Sequence, residues 1–240
     1  MTGEAPLVVA IDGPAASGKS STAQWVAREL GFLHADSGAL YRAATAARLR
    51  QGGDPEGWSE ASVLESAVRL VTVAPGRTTF LCLLDGEEAE EELRGEAVTR
   101  LVSLVARMPG VREWVNDRVR EVARTNSIVV DGRDIGTVVF PDAELKIFLV
   151  ADSWERARRR LVQRLGRAPA EAEIAEETDR LVRRDAQDAT QTVQAPDAVL
   201  IDTTHLTQPE QVERIVALAR AVQRGAGRLS GAPGAERAGP

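Results

Sequence analysis

The chain has little lysine, histidine or cysteine. Lysine occurs only at Lys19 and Lys146, although the 240 residues include 30 basic side chains, so nearly every positive charge is a guanidinium. A single cysteine, Cys82, excludes an internal disulfide, and with only His34 and His205 beside it there is no Cys/His cluster for a structural metal. No apolar run approaches the roughly 18 to 20 residues that span a bilayer. Met1 to Pro6 lacks the basic start and apolar stretch of an export signal. The expectation is a soluble, cytoplasmic protein with no membrane partner. The net charge of −6 also argues against a general nucleic-acid binder, which carries a basic surplus to displace phosphate counterions.

Apolar residues make up 43% and charged residues 28%, a balance that supports a folded core and excludes disorder of the whole chain. Leu7 to Ile11 is an uninterrupted apolar, β-branched run, the pattern of a strand buried on both faces of a parallel sheet. After a Gly-containing loop, residues 21–30 repeat apolar side chains at helical spacing and stop at Gly31. A short strand at 32–35 and a helix at 39–50 complete a βαβα opening. Val68 to Val73 and Thr79 to Leu84 read as two strands of a hairpin joined through 74–78, foreign to a doubly wound pattern and therefore an inserted antiparallel lobe, about 54–108. The acidic run Glu87 to Glu92 reads as an exposed face. Helices at 96–107, 111–124, 153–165, 171–185 and 208–223 alternate with strands at 127–130, 145–150 and 198–201. Nothing periodic follows Arg224, so 225–240 is expected to be a disordered tail behind one domain over 1–224.

Gly13-Pro14-Ala15-Ala16-Ser17-Gly18-Lys19-Ser20 satisfies G-x-x-x-x-G-K-[ST] between a strand and a helix, the context that motif requires. Such a loop closes backbone N–H groups around phosphate oxygens at a helix N-terminus. Lys19 would reach the β- and γ-phosphates and Ser20 would offer Mg²⁺ an oxygen, with Ser21 following on the ATP side. No Asn-Lys-x-Asp of the guanine-reading switch proteins and no motor or transporter signature accompanies it. A small phosphotransferase is the class that remains.

In open parallel sheets ligands bind beyond the strand C-termini. Asp36-Ser37-Gly38-Ala39-Leu40-Tyr41-Arg42 should therefore face the phosphate loop, with Arg42 suited to grip an acceptor phosphate through both guanidinium nitrogens. Asp131-Gly132-Arg133-Asp134 ends a later strand, where Asp131 is placed to reach the metal through water and Arg133 points at the same crevice. Arg156 and Arg160 lie four apart on one helical face, with Arg158 and Arg159 beside them. Spread positive charge of this kind serves phosphoryl transfer, which asks for positioning and charge stabilisation and no dedicated base. Lys19, Arg133, Arg156 and Arg160 are thus the candidate catalytic set, with Arg159 on the ATP side.

The loop, the Asp36 to Arg42 segment, Val111-Arg112-Glu113, the long Asp131 to Ala143 stretch and Arg183-Arg184-Asp185-Ala186-Gln187-Asp188 together resemble bacterial cytidylate kinases over about residues 6–222. The resemblance implies a P-loop three-layer α/β sandwich around a central parallel five-stranded sheet, with the antiparallel insert on the acceptor side. It also implies a helical lid at about 153–185. The reaction implied is transfer of the γ-phosphoryl group of ATP to CMP or dCMP, with Mg²⁺ as cofactor. The alternatives are a kinase for another monophosphate such as UMP or a catalytically weak ATP-binding switch module, and a moving lid and lobe suggest a monomer. On the acceptor, Asp36, Ser37, Arg42 and Arg133 would take the CMP side. Ser103, Arg112 and Asp134 would read cytosine, and Arg184 and Asp188 the sugar or phosphate. The resemblance departs at Gln191, where the family places an arginine, so that contact is either lost or taken over by a neighbour such as Arg183.

Overall fold

A computed structural model describes residues 6–230; what the sequence leads one to expect of 1–5 and 231–240 lies outside the described residues. The chain opens with β1 (Val8–Asp12), α1 (Lys19–Leu30), β2 (Leu33–Asp36) and α2 (Ser37–Arg50). A short 3-10 turn (Pro55–Gly57) leads to α3 (Glu60–Leu70), β3 (Val71–Pro75), β4 (Phe80–Leu84), β5 (Glu87–Glu88), α4 (Glu90–Arg94), α5 (Glu96–Val105) and α6 (Pro109–Ala123). Then come β6 (Ile128–Gly132), a single π-helical turn (Ile135–Val139), β7 (Leu145–Val150), α7 (Ser153–Leu165), α8 (Glu171–Asp188), β8 (Val199–Asp202) and α9 (Gln208–Ser230).

Five strands form one parallel sheet in the order β2-β6-β1-β7-β8. Strand alternation divides its side chains between two cores. Val8, Ala10, Ile128 and Val130 pack on α2 and α6, whereas Val9, Ile11, Val129 and Ile147 pack on α1 and α9. This is the three-layer sandwich read from the sequence. In α2, Ala43, Ala44, Ala46 and Ala47 are fully buried, and their small side chains let α3, α5 and α6 approach the helix closely.

The insert carries the antiparallel sheet β3-β4-β5. Its strand expected at Val68 begins only at Val71, because a helix absent from the sequence reading occupies the residues before it. Ser59 and Ser62 form a reciprocal cap that starts α3, which buries Val63 and Ala67 while Val68 faces solvent. Glu87 and Glu88 pair with β4 as an edge strand, and α4 follows, yet the glutamates themselves stay exposed as expected. The hairpin docks on the edge of the main sheet, where the His34 amide donates to the Thr78 carbonyl at 3.0 Å. At the other end of the chain α9 runs from Gln208 to Ser230. Extending an established helix adds a hydrogen bond for each residue fixed, whereas only starting one is costly.

Candidate active site

Three parallel strands deliver aspartates to one edge of the sheet: Asp12 ends β1, Asp36 ends β2, and Asp131 lies in β6 beside Ile11 and Asp36 in register. The phosphate loop runs from β1 into α1. Gly13 takes a φ of +152°, and a Cβ there would lie 2.3 Å from the Leu149 carbonyl oxygen, so only glycine lets the loop leave the sheet at this point. Ala16 holds a left-handed φ of +58° without that excuse, a local strain that the surrounding packing must hold. The amides of Ala16, Ser17, Gly18 and Lys19 have no partner among the described residues, so the loop presents open donors at the start of α1. Lys19 Nζ donates to the Pro14 carbonyl at 2.9 Å. Burial, reinforced by the positive Arg133, lowers its pKa to about 8.

Beneath the loop, Asp12 accepts the amides of Ile135 and Gly136, each at 2.8 Å, and so fastens the π-helical turn to β1. Burial outweighs those bonds and pushes its carboxyl up to about 6. Asp131 sits at the floor. One of its oxygens meets the Ser20 hydroxyl, the other lies 2.8 Å from Nε2 of His34, and its backbone carbonyl accepts from the Ser37 hydroxyl at 2.8 Å. Asp36 caps α2 through the Ala39 amide at 3.1 Å and, partly buried next to Asp131, has its pKa raised, chiefly by desolvation and then by the Asp131 charge.

One cleft brings together every residue assigned by resemblance to the acceptor: Asp36, Ser37, Arg42, Ser103, Arg112, Arg133, Asp134, Arg184 and Asp188, with Lys19, Ser20 and Asp131 at its loop end. Arg112 is the most engaged. It pairs with Asp134 through Nη2 and donates through Nη1 to the Ala106 carbonyl and to Gln191 Oε1, both at 3.1 Å. Burial raises the Asp134 pKa against the opposing pull of Arg112. Arg133 pairs with Asp188 at 2.9 Å, and Arg184 Nε, 3.6 Å from the same carboxylate, makes no hydrogen bond among the described residues. Arg42 donates through Nη1 to Thr99 at 3.1 Å and keeps the rest of its fork toward the cleft.

A second, wider cleft lies on the outer side of the loop and includes Ala16, Gly18, Ser21, Arg159, Arg160, His205 and Gln211. Arg159 donates to the Thr203 and Thr204 carbonyls at 2.7 and 3.0 Å, and Arg160 is 3.1 Å from the buried Glu177. Arg156 departs from its expected place at the transferring group. Its guanidinium is buried behind the loop, spent on the carbonyls of Ala15 and Ala151 and on Asp185, and it borders neither cleft. The i, i+4 spacing puts Arg156 and Arg160 on one face, but helix α7 leans that face on the loop itself, so only the residue a turn further on reaches a cleft.

Gln191, Tyr41 and Arg94 line the acceptor cleft without having been picked out as site residues. The signal for Tyr41 and Gln191 lay beside segments already singled out, next to Arg42 and after the Arg-Arg-Asp run, whereas Arg94, at the end of α4 in the insert, carried none. Arg183 is exposed, and Gln191 itself fills the place in the cleft. A phosphate-cradling loop facing an arginine-lined cleft, both at the C-terminal edge of a parallel sheet, defines a P-loop phosphotransferase.

The family model for cytidylate kinase matches residues 9–221. The chain is 44% identical over 215 residues to the cytidylate kinase of Geobacillus kaustophilus, covering 88% of this chain and 95% of that one. It is 43% identical over 214 residues to that of Chlorobaculum tepidum, at 86% and 90% coverage. With the cytidylate kinase of Limosilactobacillus reuteri it shares 39% over 221 residues, at 90% and 96% coverage. The chain belongs to the cytidylate kinase family.

Proposed function

We propose that this protein transfers the γ-phosphoryl group of ATP to CMP or dCMP, giving ADP and CDP or dCDP. The observation that carries the reading is the Arg112–Asp134 pair, set in the cleft that the phosphate loop closes at its other end. Cytosine offers one amino group, which a carboxylate accepts, and adjacent N3 and O2 acceptors, which a guanidinium and the Ser103 hydroxyl meet. A base without that amino group would leave Asp134 facing an acceptor, and a buried polar group without its partner makes a site selective.

Arg42 and Arg133 would grip the acceptor phosphate with Ser37, while Arg184 and Asp188, themselves an ion pair at 3.6 Å, take the sugar or phosphate. An oxygen of the acceptor phosphate attacks the γ-phosphorus, and the bond from that phosphorus to the β–γ bridging oxygen breaks as ADP leaves. Lys19 would follow the β- and γ-phosphates, and Arg160 would add charge from the lid side. Ser20 and Asp131 present a hydroxyl and a carboxylate oxygen side by side, a donor set that fits Mg²⁺. They would hold the ion, Asp131 through water, and the ion would neutralise charge on the phosphates.

Among the described residues no helix is long and apolar enough to cross a membrane, in keeping with a cytoplasmic enzyme. Closure of the lid over ATP would exclude water that competes for the phosphoryl group, and lobes that must move are best served by a monomer. A coupled ADP-release assay against CMP, dCMP, UMP, AMP and GMP is the test. Turnover confined to CMP and dCMP is expected; equal turnover with UMP would overturn the base-reading assignment.

A further inference from the structure

The tip of the phosphate loop is held by the lid. Asp185, near the end of α8, accepts the Ala15 amide at 3.3 Å through Oδ1, while Arg156, in the first turn of α7, donates to the Ala15 carbonyl at 2.8 Å. The two side chains pair with each other at 2.7 Å, so acid and base together grasp both ends of one residue in the loop. Arg156 is also anchored to the Ala151 carbonyl at 3.1 Å and is 6% exposed, which leaves it no freedom to swing into either cleft. A separate apolar contact reinforces the grip, for Ala15 and Ala16 pack against Ala157, Leu161, Ile174 and Leu181 of the two lid helices. Directly after the clamped residue comes Ala16 in its strained left-handed conformation, and then the run of amides without partners.

We propose that Asp185 and Arg156 are positioning residues for ATP. By holding the two peptides that flank Ala15 they keep Ala16 in the αL region, and that orientation aims the following amides at the nucleotide phosphates. Both roots of the lid meet at this residue, so the roots stay fixed to the loop and only the far end of the α7–α8 hairpin is free to move over the nucleotide. The inference rests on the reading of Gly13 to Ser20 as the ATP phosphate site and concerns residues that touch no substrate.

A double-mutant cycle tests it, with equilibrium affinity for ATP measured by calorimetry without acceptor, affinity for CMP measured in parallel, and thermal midpoints recorded for each variant. Asp185→Ala and Arg156→Ala are each expected to weaken ATP about tenfold, the effect of a lost charge-assisted contact of roughly 1.4 kcal/mol. The double variant should be within threefold of the weaker single, because either change frees the same residue, Ala15, to rotate. Affinity for CMP should stay within twofold throughout. Should Asp185→Ala fail to fold, Asp185→Asn, which keeps an oxygen for the Ala15 amide but loses the ion pair, takes its place in the cycle. The clamp is overturned by ATP affinity within threefold of the parent in either single variant, by losses that multiply in the double, or by equal weakening of CMP, which marks a general structural role. Failure of the unaltered protein to bind ATP would instead overturn the reading of the loop, and the clamp with it.

Discussion

Gln191 Oε1 accepts a hydrogen bond from Arg112 Nη1 at 3.1 Å, and the other terminal nitrogen of the same guanidinium is held by Asp134. A neutral amide therefore completes the Arg112–Asp134 end of the cleft and adds no charge there. Three groups, Asp134, Gln191 and the Ala106 carbonyl, fix the plane of Arg112, and an arginine so held presents its remaining donors in one direction.

Releasing one of those three holds should blur base reading without touching ATP. Gln191→Ala is expected to lower the ratio of kcat/KM for CMP over UMP by about three- to tenfold, in the range of one hydrogen bond to a charged group. The KM for ATP should not change. Parallel steady-state assays with the two acceptors measure this, and an unaltered ratio would mean that Asp134 and Ala106 orient Arg112 unaided.

The lowered pKa of Lys19 makes nucleotide affinity depend on pH. Below about 8 the ammonium is charged and attracts the phosphates; above it the empty site increasingly holds a neutral amine and must take up a proton on binding. Affinity for ADP without metal should therefore fall as pH rises from 7 to 9.5, accompanied by proton uptake in calorimetry across buffers of differing ionisation enthalpy. Lys19→Arg, charged throughout, should bind more weakly at pH 7 yet lose the dependence. A dependence as steep in that variant would place the titration on another group.

Backbone space at Gly13 predicts a severe effect from the smallest possible change. Gly13→Ala drives a methyl into the Leu149 carbonyl and should cost about 3 kcal/mol or more in urea unfolding. Gly52→Ala is the control. Its φ is also positive, +73°, but nothing lies within 4 Å of the added carbon, so strain alone, about 1 kcal/mol, should be lost. Equal costs at the two positions would show that the Leu149 clash relaxes.

His34 links stability to pH through Asp131. Burial by itself would lower the imidazole pKa, but the hydrogen bond and charge of Asp131 outweigh it and the net direction is upward. A pKa raised in the folded state gives stability that is fully present below the unfolded value of 6.5 and fades as pH rises through the folded one. The margin of the parent protein over His34→Gln should thus be larger at pH 6 than at pH 8.5 in denaturant titrations. A margin that does not vary with pH would mean that the ring stays neutral against Asp131.

Much of this molecule was written in short stretches of chain. The G-x-x-x-x-G-K-S spacing, the apolar runs that became β1, β6 and β7, and the aspartates at strand ends depend on neighbours in sequence, where backbone geometry and alternation act directly. That is why the strands of the parallel sheet and the loop were legible in the residues themselves, whereas most of the acceptor cleft was legible only through the resemblance to a family, and Tyr41 and Arg94 in it were not picked out. What tertiary structure alone decided is the direction in which individual side chains are spent. Arg156 and Arg160 share a helical face, yet packing of α7 on the loop buries one behind Ala15 and leaves the other at a cleft. Ala15 and Asp185 are 170 residues apart, and Arg112 and Gln191 are 79 apart. Hydrogen-bond choices over such separations follow from how helices and sheet settle together, because each donor takes whichever partner the closed core leaves within reach.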